Sequence, residues 1–196
     1  MEKKFELTDK FVINAFGIKL FQIKCTKSFK YANEGDLGGY VEKEDNLSQS
    51  GDAWVSGDAQ VYGDALVSGD AQVYGNARVS GNAQVSGDAL VSGDAWVSGD
   101  ALVSGDAQVY GNARVYGNAR VENNHMHCGF DCFGSCNRHT HAYKTKGNKV
   151  EITCGCFRGN IEEFERKVEE THSGTIYEKQ YKAIINLIKI KFGIDG

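Results

Sequence analysis

Small apolar residues recur at fixed places in a six-residue pattern through the middle of the chain. From Gly51 to Glu122 the pattern Gly-(Asp/Asn)-Ala-x-Val-(Ser/Tyr) occurs in twelve consecutive units without an insertion. A helix does not have a period of six, and a glycine in every unit would destabilise one. With the period of two that a strand has, Ala and Val share one side, while x and Ser/Tyr share the other. The Gly-Asp and Gly-Asn pairs favour bends, so each unit predicts a short strand followed by a corner.

Three such units predict one turn of a triangular parallel β-helix, in which valine and alanine fill a dry interior. The twelve units then make about four coils. Charged groups are costly in such an interior, so any chemistry must lie on the outer faces or at the ends. One outer face carries Tyr62, Arg78, Trp96, Arg114 and Tyr116. Stacking and positive charge at these positions favour a planar or phosphorylated ligand, and ordinary solvated repeat positions are the alternative.

Another face carries Leu66 and Leu102 among small serines and has no aromatic residue. A flat, partly apolar face is suited to covering by another element or another subunit, although scattered exposed leucines are also common. This face therefore predicts a homo-oligomer, for which we favour a trimer. A dimer is the alternative, because a flat face serves either symmetry.

The corner residues alternate between Asp and Asn along two edges of the predicted coil. One edge carries Asp58, Asn76, Asp94 and Asn112, and another carries Asp64, Asn82, Asp100 and Asn118. Successive coils are about 4.8 Å apart, so unbroken aspartates would place like charges close together. The alternation avoids that repulsion on these two edges.

The repeats and the segments on either side of them predict four regions. They are an N-terminal β cap at 1–40, the β-helix at 41–122, a Cys/His-rich strand and loop segment at 123–159, and a helical pair at 160–196. Alternating polarity around Phe16-Gly17 predicts a β-hairpin, and Gly35–Gly39 predicts a tight loop. Asn160 and Glu163 resemble a capping box, and a second helix is expected from Thr175 to Phe192.

Cysteines and histidines concentrate between the repeats and the helices. The candidate metal ligands are His125, His127, Cys128, Cys132, Cys136, His139, His141, Cys154 and Cys156. Thiolates and imidazoles at short spacing are what tetrahedral Zn²⁺ requires, and each of the pairs His125-x-His127 and Cys154-x-Cys156 would project to one side of a strand. The spacing of Cys128, Cys132 and Cys136 matches no usual zinc knuckle. Buried thiols with surface imidazoles, or thiol chemistry, are the alternatives.

Charge and hydropathy limit the remaining function classes. The chain has a formal net charge of −4, and its repeats are acidic, so nucleic-acid binding is not expected. No apolar run is long enough to span a membrane. The first residues lack the apolar region of a signal peptide, so we expect a cytoplasmic protein with reduced thiols.

The sequence resembles the hexapeptide-repeat, left-handed parallel β-helix proteins. Val55 followed four residues later by Ala59 matches their aliphatic-x-x-x-small pattern. Gly35-Asp-Leu-Gly-Gly-Tyr40, Asn46-Leu-Ser48 and Cys154-Gly-Cys-Phe157 resemble a bacterial and phage subgroup of uncharacterised repeat proteins. The resemblance implies a left-handed coil. For the distant acyltransferases of the superfamily it implies a trimer that uses acetyl-CoA or succinyl-CoA, with a histidine as general base.

The function that follows most directly is that of a non-enzymatic binding or scaffold protein. We expect a phage-related accessory factor that binds or sequesters a host protein or a small nucleotide-like ligand. The alternative is an acyl-CoA-dependent acyltransferase. The repeats contain no histidine and no interrupting loop, so a general base would have to be His125 or His127, with His139 and His141 as further candidates.

Overall fold

The computed structural model describes residues 3–194 and consists of two compact units that divide in sequence between Asn118 and Ala119. The outer ends of the predicted segments 1–40 and 160–196 include residues 1, 2, 195 and 196, which lie outside the described residues. Each unit is described by itself below.

The first unit begins with three longer strands and one 3-10 turn. These are β1 (Phe5–Ile13), β2 (Lys19–Cys25), β3 (Leu37–Val41) and the 3-10 turn Glu44–Asn46. Eleven two-residue strands follow: β4 (Trp54–Val55), β5 (Gln60–Val61), β6 (Leu66–Val67), β7 (Gln72–Val73), β8 (Arg78–Val79), β9 (Gln84–Val85), β10 (Leu90–Val91), β11 (Trp96–Val97), β12 (Leu102–Val103), β13 (Gln108–Val109) and β14 (Arg114–Val115).

The short strands form three parallel ladders, which confirms the predicted β-solenoid. In one ladder β5, β8, β11 and β14 are neighbours, in another β4, β7, β10 and β13, and in the third β6, β9 and β12. Each residue pairs with the residue eighteen positions later, as Val61 does with Val79 and Val97 with Val115. Three hexapeptide units therefore make one turn, and the solenoid has about five turns.

Valine and alanine fill the interior of the coil, as the repeat predicts. Val55, Val97 and Ala95 have no solvent-exposed surface. The glycine of each unit adopts a left-handed conformation at the corner, for example at Gly87 with a φ of 68°. A β-carbon at Gly87 would lie 2.9 Å from the backbone nitrogen of Gly105, so a side chain is excluded both by conformation and by the next turn.

The predicted N-terminal hairpin is present and extends one of the ladders. Strands β1 and β2 pair antiparallel, β2 pairs with β3, and β3 joins the solenoid in parallel with β5. Tyr40 pairs with Gln60 and Leu47 with Val67, so the first turn is two residues longer than the later ones. This turn begins before the repeats, which is why they alone indicate about four coils.

The tight loop expected at Gly35–Gly39 is instead partly strand, because β3 begins at Leu37. A β-carbon at Gly38 would lie 2.5 Å from Ile23 and 2.6 Å from the carbonyl oxygen of Val55. The glycine allows the strand to pack directly against these neighbours, and so its role is close packing rather than a turn.

The second unit contains five strands and two helices. They are β15 (Arg120–Val121), β16 (His127–Phe133), β17 (Arg138–Lys144), β18 (Val150–Cys154), β19 (Phe157–Gly159), α1 (Ile161–His172) and α2 (Ile176–Phe192). Strands β16 to β19 form an antiparallel sheet in sequence order. Asn160 and Glu163 form the predicted capping box at the start of α1, and Thr175 caps α2.

Within residues 3–194, no helix combines the length and hydrophobicity that a membrane span requires.

Candidate functional site

The five predicted ligand-binding residues lie on one side of the ladder formed by β5, β8, β11 and β14. We call them the aromatic face: Tyr62, Arg78, Trp96, Arg114 and Tyr116. In the register of the sheet, Trp96 pairs with Arg78 on one side and with Arg114 on the other. Both arginines are exposed, so one large ring lies between two cationic side chains at the spacing of successive turns.

Aromatic contacts connect Trp96 with its neighbours. The rings of Trp96 and Tyr116 meet edge to face with their centroids 5.7 Å apart. Phe16, at the tip of the N-terminal hairpin, lies 6.1 Å from Trp96 and 6.3 Å from Tyr62. The indole nitrogen of Trp96 donates a hydrogen bond of 3.2 Å to Ser80 Oγ, which fixes the ring over the adjacent turn.

Phe16 is the member of this cluster that sequence analysis missed. It lies in a hairpin turn, outside the repeats, and no periodicity connects it with Trp96. Its side chain is exposed at 60% although it contacts two rings. An exposed aromatic residue at a hairpin tip was the available signal.

Two hydroxyl groups define the polar character of the aromatic face. Burial raises the pKa of Tyr116, and the nearby Arg114 guanidinium opposes that effect. Tyr62 is buried, and its hydroxyl oxygen has no hydrogen-bond partner in the part of the chain that the structure describes. A buried hydroxyl without a partner loses free energy unless a ligand or water supplies the bond.

The Cys/His-rich segment forms the sheet β16–β19, and strand alternation separates most of its imidazoles from its thiols. His127 pairs with Tyr143, whereas the next residue, Cys128, pairs with Ala142. Successive side chains of a strand point to opposite faces. Cys128 and Cys154 accordingly pack with the apolar cluster that includes helices α1 and α2, and the histidines occupy the other face.

Three histidines are close together on that second face. Nδ1 of His127 lies 3.0 Å from Nε2 of His141, and the rings of His139 and His141 are 5.6 Å apart. His139 Nδ1 lies 2.7 Å from Asp131 Oδ1, and the His139 side chain is only 9% exposed. The carboxylate accepts from Nδ1 and orients the imidazole, whose other nitrogen is Nε2. That Nε2 atom has no hydrogen-bond partner among the described residues.

Burial is the main influence on the pKa of His127. It lowers the pKa of His127 to about 4, and the positive charge of Lys191 lowers it further. At neutral pH this imidazole is uncharged, so His127 and His141 share one hydrogen between their facing nitrogens. The group can hold or pass a proton, and neutral imidazoles are also metal ligands.

The thiol side of the sheet has a different environment. Burial raises the pKa of the Cys128 thiol to about 11. Thr140 Oγ1 donates to Cys154 Sγ at 3.3 Å, and Tyr181 Oη lies 3.8 Å from the same sulfur. All six cysteines are free thiols. Cys128 is therefore a protonated, weakly reactive group at neutral pH.

The nine predicted metal ligands do not converge on one point. His125 is exposed and precedes β16, and Cys156 is exposed and follows β18, so neither i, i+2 pair lies within one strand. Cys132 and Cys136 are also exposed. Among residues 3–194, no group of three or more His, Cys, Asp or Glu side chains is arranged to hold a metal ion.

Comparison with known proteins concerns the repeats. The chain matches the family described as the YdcK beta solenoid repeat in five overlapping segments, residues 59–72, 71–86, 83–99, 95–111 and 107–123. No curated protein matches the chain. The matched repeats and the observed ladders together identify the chain as a repeat β-helix protein.

Proposed function

We propose that this chain is a non-enzymatic binding or scaffold protein and that the aromatic face is its recognition surface. The register of Trp96 between Arg78 and Arg114 carries the proposal. A planar ring can stack on the indole while a negatively charged group meets a guanidinium one turn away. The buried, unpartnered hydroxyl of Tyr62 supports it, because a ligand could supply the missing hydrogen bond.

The ligand we favour is small and nucleotide-like, because such a molecule combines a planar base with phosphate. A host protein that the chain binds or sequesters is the other partner class, in keeping with the resemblance to a bacterial and phage subgroup. In this proposal the coil is left-handed, the protein acts in the cytoplasm, and three copies associate through the face that carries Leu66 and Leu102. Both leucines are only partly buried in the single chain, so they have area left to bury.

Titration with adenosine monophosphate, followed by tryptophan fluorescence, tests the recognition surface. The other tryptophan, Trp54, is 5% exposed, so the change in emission should come from Trp96. We expect saturable quenching in the wild type, and calorimetric titration of Trp96→Phe, which lacks the reporter indole, should show loss of binding. Arg78→Gln and Arg114→Gln should each weaken binding about tenfold or more, the range for a hydrogen bond to a charged group.

Arg120→Gln is the matched control, because Arg120 occupies the equivalent repeat position in β15 and lies 3.9 Å from Glu122. It should leave the affinity unchanged. Equal binding by the wild type, Trp96→Phe and Arg78→Gln would refute the recognition surface for nucleotides. If a purified host protein binds the wild type, Trp96→Phe and Arg78→Gln equally well, the recognition surface is refuted for proteins as well.

A separate experiment distinguishes the scaffold from the acyltransferase. Incubation with acetyl-CoA and a panel of amines should give no acetylated product. Turnover that His125→Ala or His127→Ala abolishes would overturn the non-enzymatic proposal. Light scattering of the purified protein should give the mass of a trimer, and Leu66→Glu with Leu102→Glu should reduce it to that of a monomer.

A further inference from the structure

The second unit contains a cavity of about 310 Å³ between the sheet β16–β19 and helix α1. Its wall is aromatic and continuous. The rings of Phe157 and Phe164 are 5.0 Å apart, Phe164 meets Tyr181 edge to face at 5.6 Å, and His172 stacks on Tyr181 at 5.4 Å. Aromatic side chains in this arrangement offer faces and edges to a flat ring.

The charged residues that line the cavity are basic. Arg138 and Lys167 belong to the lining, and neither Asp nor Glu does. A β-carbon at Gly155 would lie 2.4 Å from Nη1 of Arg138, so the guanidinium lies directly against the backbone between Cys154 and Cys156. That placement holds the guanidinium in the lining of the cavity. Lys167 is partly neutralised by Glu170 at 3.3 Å.

The Tyr181 hydroxyl is a buried polar group in the lining of the cavity. Tyr181 is 6% exposed, and its hydroxyl lies against Gly134, where a β-carbon would overlap it. Burial, with a smaller contribution from Cys154, raises the pKa of Tyr181 to about 12. The phenol therefore keeps its proton at neutral pH, and a hydrogen bond from it favours an acceptor on the ligand.

We propose that this cavity binds a small aromatic carboxylate, with its ring against Phe157, Phe164 and Tyr181 and its carboxylate at Arg138. The aromatic wall selects a flat apolar body over a flexible chain. Arg138 together with the partly neutralised Lys167 balances a single negative charge better than the double charge of a phosphate monoester. A volume near 310 Å³ is at the small end of ligand sites and suits a molecule of one or two rings.

Three of the lining residues are cysteines, and they provide a direct measure of occupancy. Cys136 and Cys156 are exposed and line the cavity, whereas Cys132 is exposed and does not. A bound ligand should therefore slow alkylation of Cys136 and Cys156 by N-ethylmaleimide and leave the rate at Cys132 unchanged. Mass spectrometry of the labelled peptides separates the labelling of Cys132, Cys136 and Cys156.

The test uses 2-naphthoate as the probe and the neutral 2-naphthamide as its matched control. Saturation-transfer NMR and titration should show naphthoate binding about tenfold tighter than naphthamide, because only the carboxylate makes a charge-assisted bond. Arg138→Gln should remove most of that difference. Arg166→Gln, which changes a basic residue of α1 outside the lining, should preserve it.

A second variant keeps the test decisive if Arg138→Gln perturbs folding. Thr171 is exposed on α1 and lines the cavity, so Thr171→Trp should fill the mouth and abolish both binding and thiol protection. Equal affinity for the acid and the amide, or naphthoate binding without protection of Cys136 and Cys156, would overturn the proposal, as would no binding at all. The site belongs to the second unit, so its failure would leave the aromatic face untouched.

Discussion

The side-chain amide of Asn76 donates a hydrogen bond of 3.0 Å to Asp94 Oδ1, one turn farther along the solenoid. The same relationship joins Asn82 with Asp100 at 2.9 Å. Along these two corners an amide replaces a second carboxylate and bonds to the next one. The repeat is therefore tuned to the contact between turns as well as to the bend within each unit.

Asn76→Asp should destabilise the solenoid. The new carboxylate would lie one turn from both Asp58 and Asp94, and two such repulsions in water cost about 1–2 kcal/mol in the free energy of unfolding. Urea unfolding at low ionic strength measures the loss, and about 1 M salt should remove most of it. Asn76→Ser is the control, since it deletes the hydrogen bond without adding charge and should show little dependence on salt.

The interior of the coil was predictable because equivalent residues of the repeat recur at a constant spacing, which fixes the pairing between turns. Val97 recurs in position as Val79 and Val115, so the strand period and the turn length follow from the residues alone. The first turn was less predictable, because the Tyr40–Gln60 pair breaks the eighteen-residue spacing. Handedness has no counterpart in the periodicity and rests on resemblance.

Val97→Ala should lower the free energy of unfolding by about 2 kcal/mol. Val97 is fully buried in the middle of a ladder, and the loss of two methyl groups leaves a gap that the stacked turns cannot close. Gln84→Ala, at an exposed outward position of β9, is the control and should change stability by less than about 0.5 kcal/mol. Similar losses in the two variants would contradict the assignment of inside and outside.

The candidate sites were only partly predictable. The spacing of the repeats places Trp96 beside Arg78 and Arg114, but nothing in it brings Phe16 to the same ring. Likewise, the metal prediction listed both His127 and Cys128 among its candidate ligands, whereas adjacent strand residues lie on opposite faces of the sheet. Whether His125 and His127 share a strand depends on where that strand begins, and the sequence does not give that boundary.

Lys4 should make stability rise between pH 8 and pH 10.5. Burial lowers the pKa of Lys4 from its usual value of 10.5 to about 8, although Asp52 opposes the shift. In that interval the unfolded chain binds more protons than the folded one, so the folded state gains stability as the pH rises. Its ammonium group donates to the carbonyl oxygens of Gly51 and Ala53 at 3.2 and 2.9 Å.

Unfolding measured against pH in Lys4→Met isolates this effect, because other groups titrate in the same range. The difference in free energy between the wild type and the variant should shift in favour of the wild type as the pH increases from 8 to 10.5. Lys3→Met is the control, since Lys3 is exposed and pairs with Glu44 at 2.7 Å. A difference that does not vary with pH would show that Lys4 titrates normally in the folded state.

His127 should make stability depend on pH in the same direction, but at acid pH. Its pKa falls from 6.5 to about 4, first through burial and then through Lys191, so the folded state resists protonation. As the pH decreases from 6.5 to 4, the unfolded chain takes up the proton first and the folded state loses about 2–3 kcal/mol. The loss levels off as the pH falls through the folded pKa of about 4, below which both states become protonated at this position.

His127→Gln should flatten that acid dependence, and His125→Gln should not. His125 is exposed and lies outside β16, so it controls for the removal of an imidazole. Because the ring of His127 faces His141 at 3.0 Å, the NMR titration of both rings distinguishes burial from coupling. Titration of His127 near its ordinary pKa in the folded protein would show that the histidine side of the sheet is open to water.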